Sequence, residues 1–240
     1  MNIQKIVCII QARMGSKRLP GKSMKNLCGK PLLYYVIQRV KKATTLDVIV
    51  LAIPKTPEND VLENLARELG IQVFRGSEHD VLKRFAEAAR IYSAEIIVRV
   101  SADNPLVDSE EIDRIVVHHL KTNADYSFNG VPKMGNNYPD GLGAEVINFS
   151  ILERIDRLTK DPTYREHVTP YIWDHQNDFH IETIQAPPDI AGPDIKLDVD
   201  TVEDFRRLES LIKALPYDPE VLWPAKEIIK TYRNHFNIGN

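Results

Sequence analysis

Four cations, Arg13, Lys17, Arg18 and Lys22, crowd the segment Gln11-Ala12-Arg13-Met14-Gly15-Ser16-Lys17-Arg18-Leu19-Pro20-Gly21-Lys22. Gly15 and Gly21 punctuate it, and glycine lets the backbone approach a ligand closely. Successive backbone N–H groups combined with side-chain cations suit a polyphosphate. A solvated basic loop would carry the same charges, because loop cations are ordinarily just exposed. The segment is not a Walker A loop, since the G-x-x-x-x-G-K-[ST] spacing is absent.

Carboxylates with related chemistry follow later. Asp103 lies in Arg99-Val100-Ser101-Ala102-Asp103-Asn104-Pro105, and Asp200 in Lys196-Leu197-Asp198-Val199-Asp200-Thr201. Two carboxylates meeting at strand ends can hold Mg²⁺, which keeps several waters and takes one or two carboxylates plus phosphate oxygens. Read as a strand, residues 195–199 place Asp198 and Asp200 on one face. Asp200 has a second reading as a helix N-cap, because Asp200-Thr201-Val202-Glu203 resembles a capping box. Among the seven histidines, His118 and His119 are adjacent on a helical stretch, cannot form an i, i+4 ligand pair, and read as surface residues. His167 is open to either a structural role or a substrate contact. Cys8 reads as a small core residue and Cys28 as a turn residue, and neither makes a metal-ligand pattern.

The elements that must position these groups alternate between two periods. Residues 6–11, 48–53, 71–74 and 96–100 are short, apolar and rich in β-branched side chains, as buried strands are. Residues 31–42, 58–69, 80–92 and 110–120 have helical periodicity, the first opened by a proline and the second closed by Gly70. Further on, strands are expected at 126–128, 145–148 and 195–199. Helices are expected at 150–158, 166–175, 202–214 and 219–232, and a Gly/Asn/Pro-rich loop at 130–143 that can cover a substrate. Strand–helix alternation of this kind predicts an α/β, Rossmann-like fold, a mostly parallel twisted sheet with helices on both faces. Ligands then bind outside the carboxyl ends of the strands, where the cationic loop and Asp103 fall.

The 240 residues read as one domain, 1–240, with a nucleotide-binding half at 1–125, an acceptor-binding half at 126–200 and C-terminal helices at 201–240. A net charge of −3 gives no general pull toward nucleic acid or a membrane surface. The first apolar run is too short for a signal-peptide core or a membrane span, so the expected location is the cytoplasm.

The segment 11–22, with Arg18-Leu19-Pro20-Gly21-Lys22 at its heart, resembles the signature loop of the cytidylyltransferase family, which includes the enzymes that make CMP-Kdo and CMP-sialic acid. The SpsF-like, spore-coat polysaccharide branch is the nearest match. Its pattern recurs in order at Phe74-Arg75-Gly76-Ser77-Glu78-His79-Asp80-Val81-Leu82, Asp103-Asn104-Pro105-Leu106-Val107-Asp108, Arg165-Glu166-His167-Val168-Thr169-Pro170-Tyr171-Ile172 and Val199-Asp200-Thr201-Val202-Glu203-Asp204. The resemblance implies an Mg²⁺-dependent nucleotidyltransferase that uses CTP, or another nucleoside triphosphate, to activate a sugar or keto-sugar acid. It implies that Arg13 and Lys22 bind the triphosphate as the catalytic cations. Ala12, Gly15, Gly76 and Ser77 complete the nucleotide site, and Asp103 and Asp200 hold the metal. The segments 138–145 and 165–171 face the acceptor, with Glu145, Arg165 and His167 as candidate contacts. Such sequences usually carry Gly-Asp-Cys-Pro where this chain has Ala102-Asp103-Asn104-Pro105; the aspartate is kept and the local pocket is expected to differ. The expected assembly is a homodimer. Two rival functions share parts of the pattern: a metal-dependent glycosyltransferase using Asp198-Val199-Asp200 as a D-x-D motif, and a non-catalytic nucleotide-binding module.

Overall fold

The computed structural model describes residues 4–130 and 134–237. A seven-stranded sheet organises them. Its strands are β1 (Ile6–Gln11), β4 (Val48–Pro54), β5 (Gln72–Gly76), β6 (Ile96–Ser101), β7 (Tyr126–Phe128), β8 (Glu145–Asn148) and β9 (Ile181–Thr183), in the order β5-β4-β1-β6-β8-β7-β9. β1 lies between β4 and β6 and pairs parallel with both, while β8 runs antiparallel to β6 and β7. β2 (Asn26–Leu27) and β3 (Lys30–Pro31) form a separate small hairpin beyond the cationic loop.

Side-chain alternation along β1 builds both layers of the core. Cys8 and Ile10 enter a cluster with α1 (Leu32–Val40), α2 (Asp60–Glu68), α4 (Ser109–Thr122), α8 (Val202–Ala214) and α9 (Ala225–Phe236). Val7 and Ile9 enter the opposite cluster with α3 (Val81–Ile91), α5 (Phe149–Leu158) and α7 (Pro170–Asp174). A strand whose first five residues are all apolar needs cover on both faces, and the helices supply it. The expected α/β sheet with helices on both faces is the observed one. None of the described helices is long and apolar enough to cross a membrane.

Local chemistry fixes the helix starts that matter for the site. Asp108 accepts from the N–H groups of Glu110 and Glu111 at 3.0 and 3.2 Å and so starts α4 directly after the Asp103 segment. Asp80 caps α3 by accepting from the Lys83 N–H at 2.9 Å. At α8 the capping box is Thr201 with Asp204, one residue later than the sequence reading placed it, so Asp200 is not the cap.

Four other expectations are corrected. Residues 195–199 form no strand, only a single bridge between Asp140 and Lys196. Their period-2 pattern is real, since Ile195, Leu197 and Val199 are buried in the core, but the neighbouring chain is too irregular to supply a continuous ladder. The helix expected at 166–175 is two short ones, α6 (Pro162–Glu166) and α7, because Pro170 lacks the N–H a continuing helix needs and begins a new turn instead. The last helix begins at Ala225 after Pro224, not at residue 219. His119 is buried rather than exposed: its Nδ1 meets Ser127 Oγ at 2.8 Å and its Nε2 meets Asn148 Oδ1 at 3.1 Å. Burial lowers its pKa, which favours the neutral ring.

Candidate active site

The loop after β1 is folded back on itself. Gly21 adopts φ 69°, a left-handed conformation that other residues reach only with strain, and its N–H donates to Met14 O at 3.0 Å. The Met14 N–H in turn donates to Oδ1 of the buried Asn59 at 2.9 Å. Gly21 passes directly into a single 3₁₀ turn, Lys22–Met24. The Lys22 side chain is thereby carried across the sheet ends. Its Nζ lies 2.7 Å from Asp103 Oδ2, 2.8 Å from Val199 O and 3.5 Å from Asp200 Oδ1. Arg18 reaches the same Asp200 oxygen at 2.7 Å. Three segments far apart in sequence thus converge on one ammonium group.

Two cavities meet there. One, of about 430 Å³, is bounded by the loop and includes Ala12, Arg13, Lys22 and His167. The other, of about 610 Å³, is strongly acidic and is lined by Asp140, Glu145, Trp173 and Asp198 among others. Arg99, Ser101, Asp103 and Asp200 line both and form their junction. A basic lobe and an acidic lobe that share two carboxylates can hold a polyphosphate and a polar acceptor side by side.

The carboxylates differ in state. Burial pushes Asp103 up, but the charge and hydrogen bond of Lys22 outweigh this and hold it below its ordinary value. Asp198 has no such partner on Oδ1, which is buried without a hydrogen bond. Burial, with Asp140 and other carboxylates around it, pushes Asp198 up to about 7. Among the described residues no group of three or more His, Cys, Asp or Glu side chains is gathered closely enough to enclose a metal ion. The donor set nonetheless fits a hard cation that takes only one or two protein carboxylates: Asp103 and Asp200 face the junction, beside a third carboxylate with an unused oxygen.

The other candidates fall in various places. Arg13 lines the loop lobe and lies 3.7 Å from Glu166 Oε1. Gly15, Gly76 and Ser77 do not line it. Gly76 ends β5 where a Cβ would stand 2.7 Å from Arg84 Cγ and 2.8 Å from Phe74 Cε1, so close packing requires glycine there. Ser77 O accepts from Arg84 Nη1 at 2.5 Å. Glu145 lines the acidic lobe, whereas Tyr138 is fully buried and bonded to Glu111, so the segment 138–145 faces the acceptor lobe only in part. Arg165 stands elsewhere. It lines neither lobe, because its guanidinium is taken up by Asp80 at 2.7 and 3.0 Å and by Asp156 at 2.7 Å. That pairing ties α6 to the cap of α3. Asp140 lies in the segment expected to face the acceptor and lines the acidic lobe, whereas Arg99 was given no role by the sequence reading, although it carried a signal as a lone charge within the apolar strand Ile96–Ser101.

A mostly parallel sheet with a cationic loop and carboxylates at its carboxyl ends defines a nucleotide-binding α/β protein. Residues 7–230 match the family Cytidylyltransferase, and the chain belongs to that family. It is 34% identical to the spore coat polysaccharide biosynthesis protein SpsF of Bacillus subtilis over 93% of this chain and 92% of that protein. It superposes with a TM-score of 0.89 on a cytidylyltransferase from Leptospira borgpetersenii, at 29% identity over 98% of this chain and 96% of the other. The CMP:2-keto-3-deoxy-manno-octonic acid synthetase solved with CTP shares the fold, with a TM-score of 0.67 at 16% identity over 88% of this chain and 99% of that one.

Proposed function

We propose that the chain is a divalent-cation-dependent cytidylyltransferase that joins the CMP portion of CTP to an oxygen of a sugar or keto-sugar acid and releases pyrophosphate. The observation that carries this is the meeting of Lys22 with Asp103 and Asp200 where the two lobes join. The triphosphate occupies the loop lobe, with Arg13 and Lys22 offsetting its charge. The acceptor occupies the acidic lobe, beside Asp140 and Glu145. Such chemistry asks little covalent help of the protein, since positioning and charge neutralisation dominate. A divalent cation on Asp103 and Asp200 would supply charge neutralisation at the phosphate oxygens. The CTP preference is supported by the family match and by the named ligand of the synthetase that shares the fold. The test is a matrix of the four ribonucleoside triphosphates against keto-sugar acids and sugar 1-phosphates, read as pyrophosphate release with Mg²⁺ present. Release with no acceptor in the panel, or equally with every triphosphate, would count against the assignment.

A further inference from the structure

We propose that Arg99 is a catalytic residue that binds the phosphate being transferred, with Glu145 fixing its guanidinium. The inference rests on the nucleotidyl-transfer reading and adds a residue to it. Arg99 sits on the central strand β6 on the same face as Ser101, two residues nearer the strand end, and both line both lobes. A charge in the middle of such a strand is costly unless its donors are used. Here they are used in part. Nη1 donates to Oε1 of Glu145, which lies directly across the ladder on β8. Nε is buried and has no partner.

The carboxylate of the pair, by contrast, is fully engaged. Glu145 Oε2 accepts from the Tyr126 hydroxyl at 2.7 Å, and that hydroxyl accepts from Trp173 Nε1 at 3.0 Å. Glu145 is therefore a fixed strut, and the unfilled bonding capacity lies on the guanidinium. The second cation of the acidic lobe, Lys196, is already bound to Asp204 at 3.0 Å. A buried N–H that native structures rarely leave unpaired, on a cation at the junction, calls for an oxygen anion arriving with the substrate.

In the proposed reaction an acceptor oxygen forms a bond to the α-phosphorus. The bond from phosphorus to the α,β-bridging oxygen breaks, pyrophosphate leaves with that electron pair, and the acceptor proton passes to water. The α-phosphate is the group that must lie at the junction throughout, bonded first to the leaving group and then to the acceptor. Arg99 donates to its non-bridging oxygens and exchanges no proton. Lys22 is less free for this role, because its ammonium already meets Asp103 and Val199 O.

The test needs no acceptor. Calorimetry compares cytidine, CMP and CTP binding to the wild type, Arg99→Ala and Arg99→Lys at fixed Mg²⁺, with melting temperatures recorded alongside. The affinity gained from cytidine to CMP reports on the α-phosphate, and the gain from CMP to CTP on the other two. Arg99→Ala is expected to cut the first gain by about tenfold or more, the worth of one charge-assisted hydrogen bond, and to leave the second unchanged. Arg99→Lys is expected to restore part of it. An unchanged first gain overturns the proposal, as does an equal loss for all three ligands with a lowered melting temperature, which marks a structural arginine. A selective loss in the second gain also overturns it, by moving Arg99 to the leaving group. If the wild type binds neither CMP nor CTP, the nucleotidyl-transfer reading itself falls.

Discussion

Lys22 Nζ lies 2.7 Å from Asp103 Oδ2, a bond that closes the gap between the loop after β1 and the end of β6. The pair is mostly shielded, with Lys22 14% and Asp103 22% exposed. Its removal should therefore register twice. Lys22→Ala leaves a shielded carboxylate without its partner, at a cost of about 1–3 kcal/mol in stability. It also removes a phosphate ligand, and CTP affinity is expected to fall roughly tenfold or more. Lys17 is the internal control, since it belongs to the same loop but is exposed. Lys17→Ala should change affinity less than about threefold and leave the melting temperature in place, as surface substitutions generally do. Equal, modest losses in the two variants would reduce the loop to a diffuse electrostatic funnel.

The junction carboxylates give a separate prediction. Adding Mg²⁺ should raise the affinity of the wild type for CTP, and that increment should shrink in Asp103→Asn and in Asp200→Asn. The two variants differ in what they release: Asp103→Asn weakens the hold on Lys22, and Asp200→Asn the hold on Arg18. Titrations of CTP with and without Mg²⁺ separate the metal increment from these direct effects. Asp198→Asn serves as the comparison, since it shares the acidic lobe but its Oδ1 is unpartnered. A larger loss of increment at Asp198 than at Asp200 would transfer the ligand role to Asp198.

Arg165 is predicted to be scaffolding. It donates to Asp80 and Asp156 and so joins α6, α5 and the start of α3. Arg165→Ala should lower stability by about 1–3 kcal/mol, because two carboxylates lose a charged donor together. The cytidine, CMP and CTP affinities should stay within about twofold of the wild type, since no ligand contact is lost. Urea denaturation checks the first part and calorimetry the second. A stable variant with a raised KM for the acceptor would return Arg165 to the acceptor site.

What the sequence disclosed and what it hid have physical causes. The strands of the first half were legible because burial on both faces leaves uninterrupted runs such as Val7–Ile10. The loop and the two aspartates were legible because ligand sites follow strand ends. The ion pair of Arg165 was not legible, because a charged side chain looks the same whether its partner is a substrate or Asp80, and only the fold reveals that partner. Residues 195–199 misled because alternation reports which face is buried, not whether a neighbouring strand is present to pair. Arg99 was visible as a charge in an apolar strand, but its meaning depends on Glu145 across the ladder, 46 residues away.

Asp204 supplies a pH-dependent test of the frame that holds the junction. It completes the cap of α8: Oδ2 accepts from the N–H groups of Asp200 and Thr201 at 3.0 and 2.9 Å, and from Lys196 Nζ at 3.0 Å. Arg207 donates to its Oδ1 at 2.9 Å. Burial raises its pKa, but these four donors outweigh that effect and hold it well below the usual carboxylate range. The sign follows. A carboxylate with a depressed folded pKa contributes stability that is complete above its unfolded value of about 3.9 and is lost as the pH falls toward the folded value. Stability of the wild type should therefore decline with acid below about pH 5. Asp204→Asn keeps the size of the side chain but not the charge, and is expected to cost about 1–3 kcal/mol near pH 7. The cost should dwindle as the pH falls below the unfolded value, so the two stability curves converge toward acid. Urea denaturation of both proteins at a series of pH values gives the comparison. Parallel curves would mean that the charge of Asp204 contributes nothing to the fold. Because the Asp200 N–H is one of the groups it holds, Asp204→Asn should also loosen Asp200 and weaken the Mg²⁺ increment in CTP affinity, at a pH where the protein is still folded.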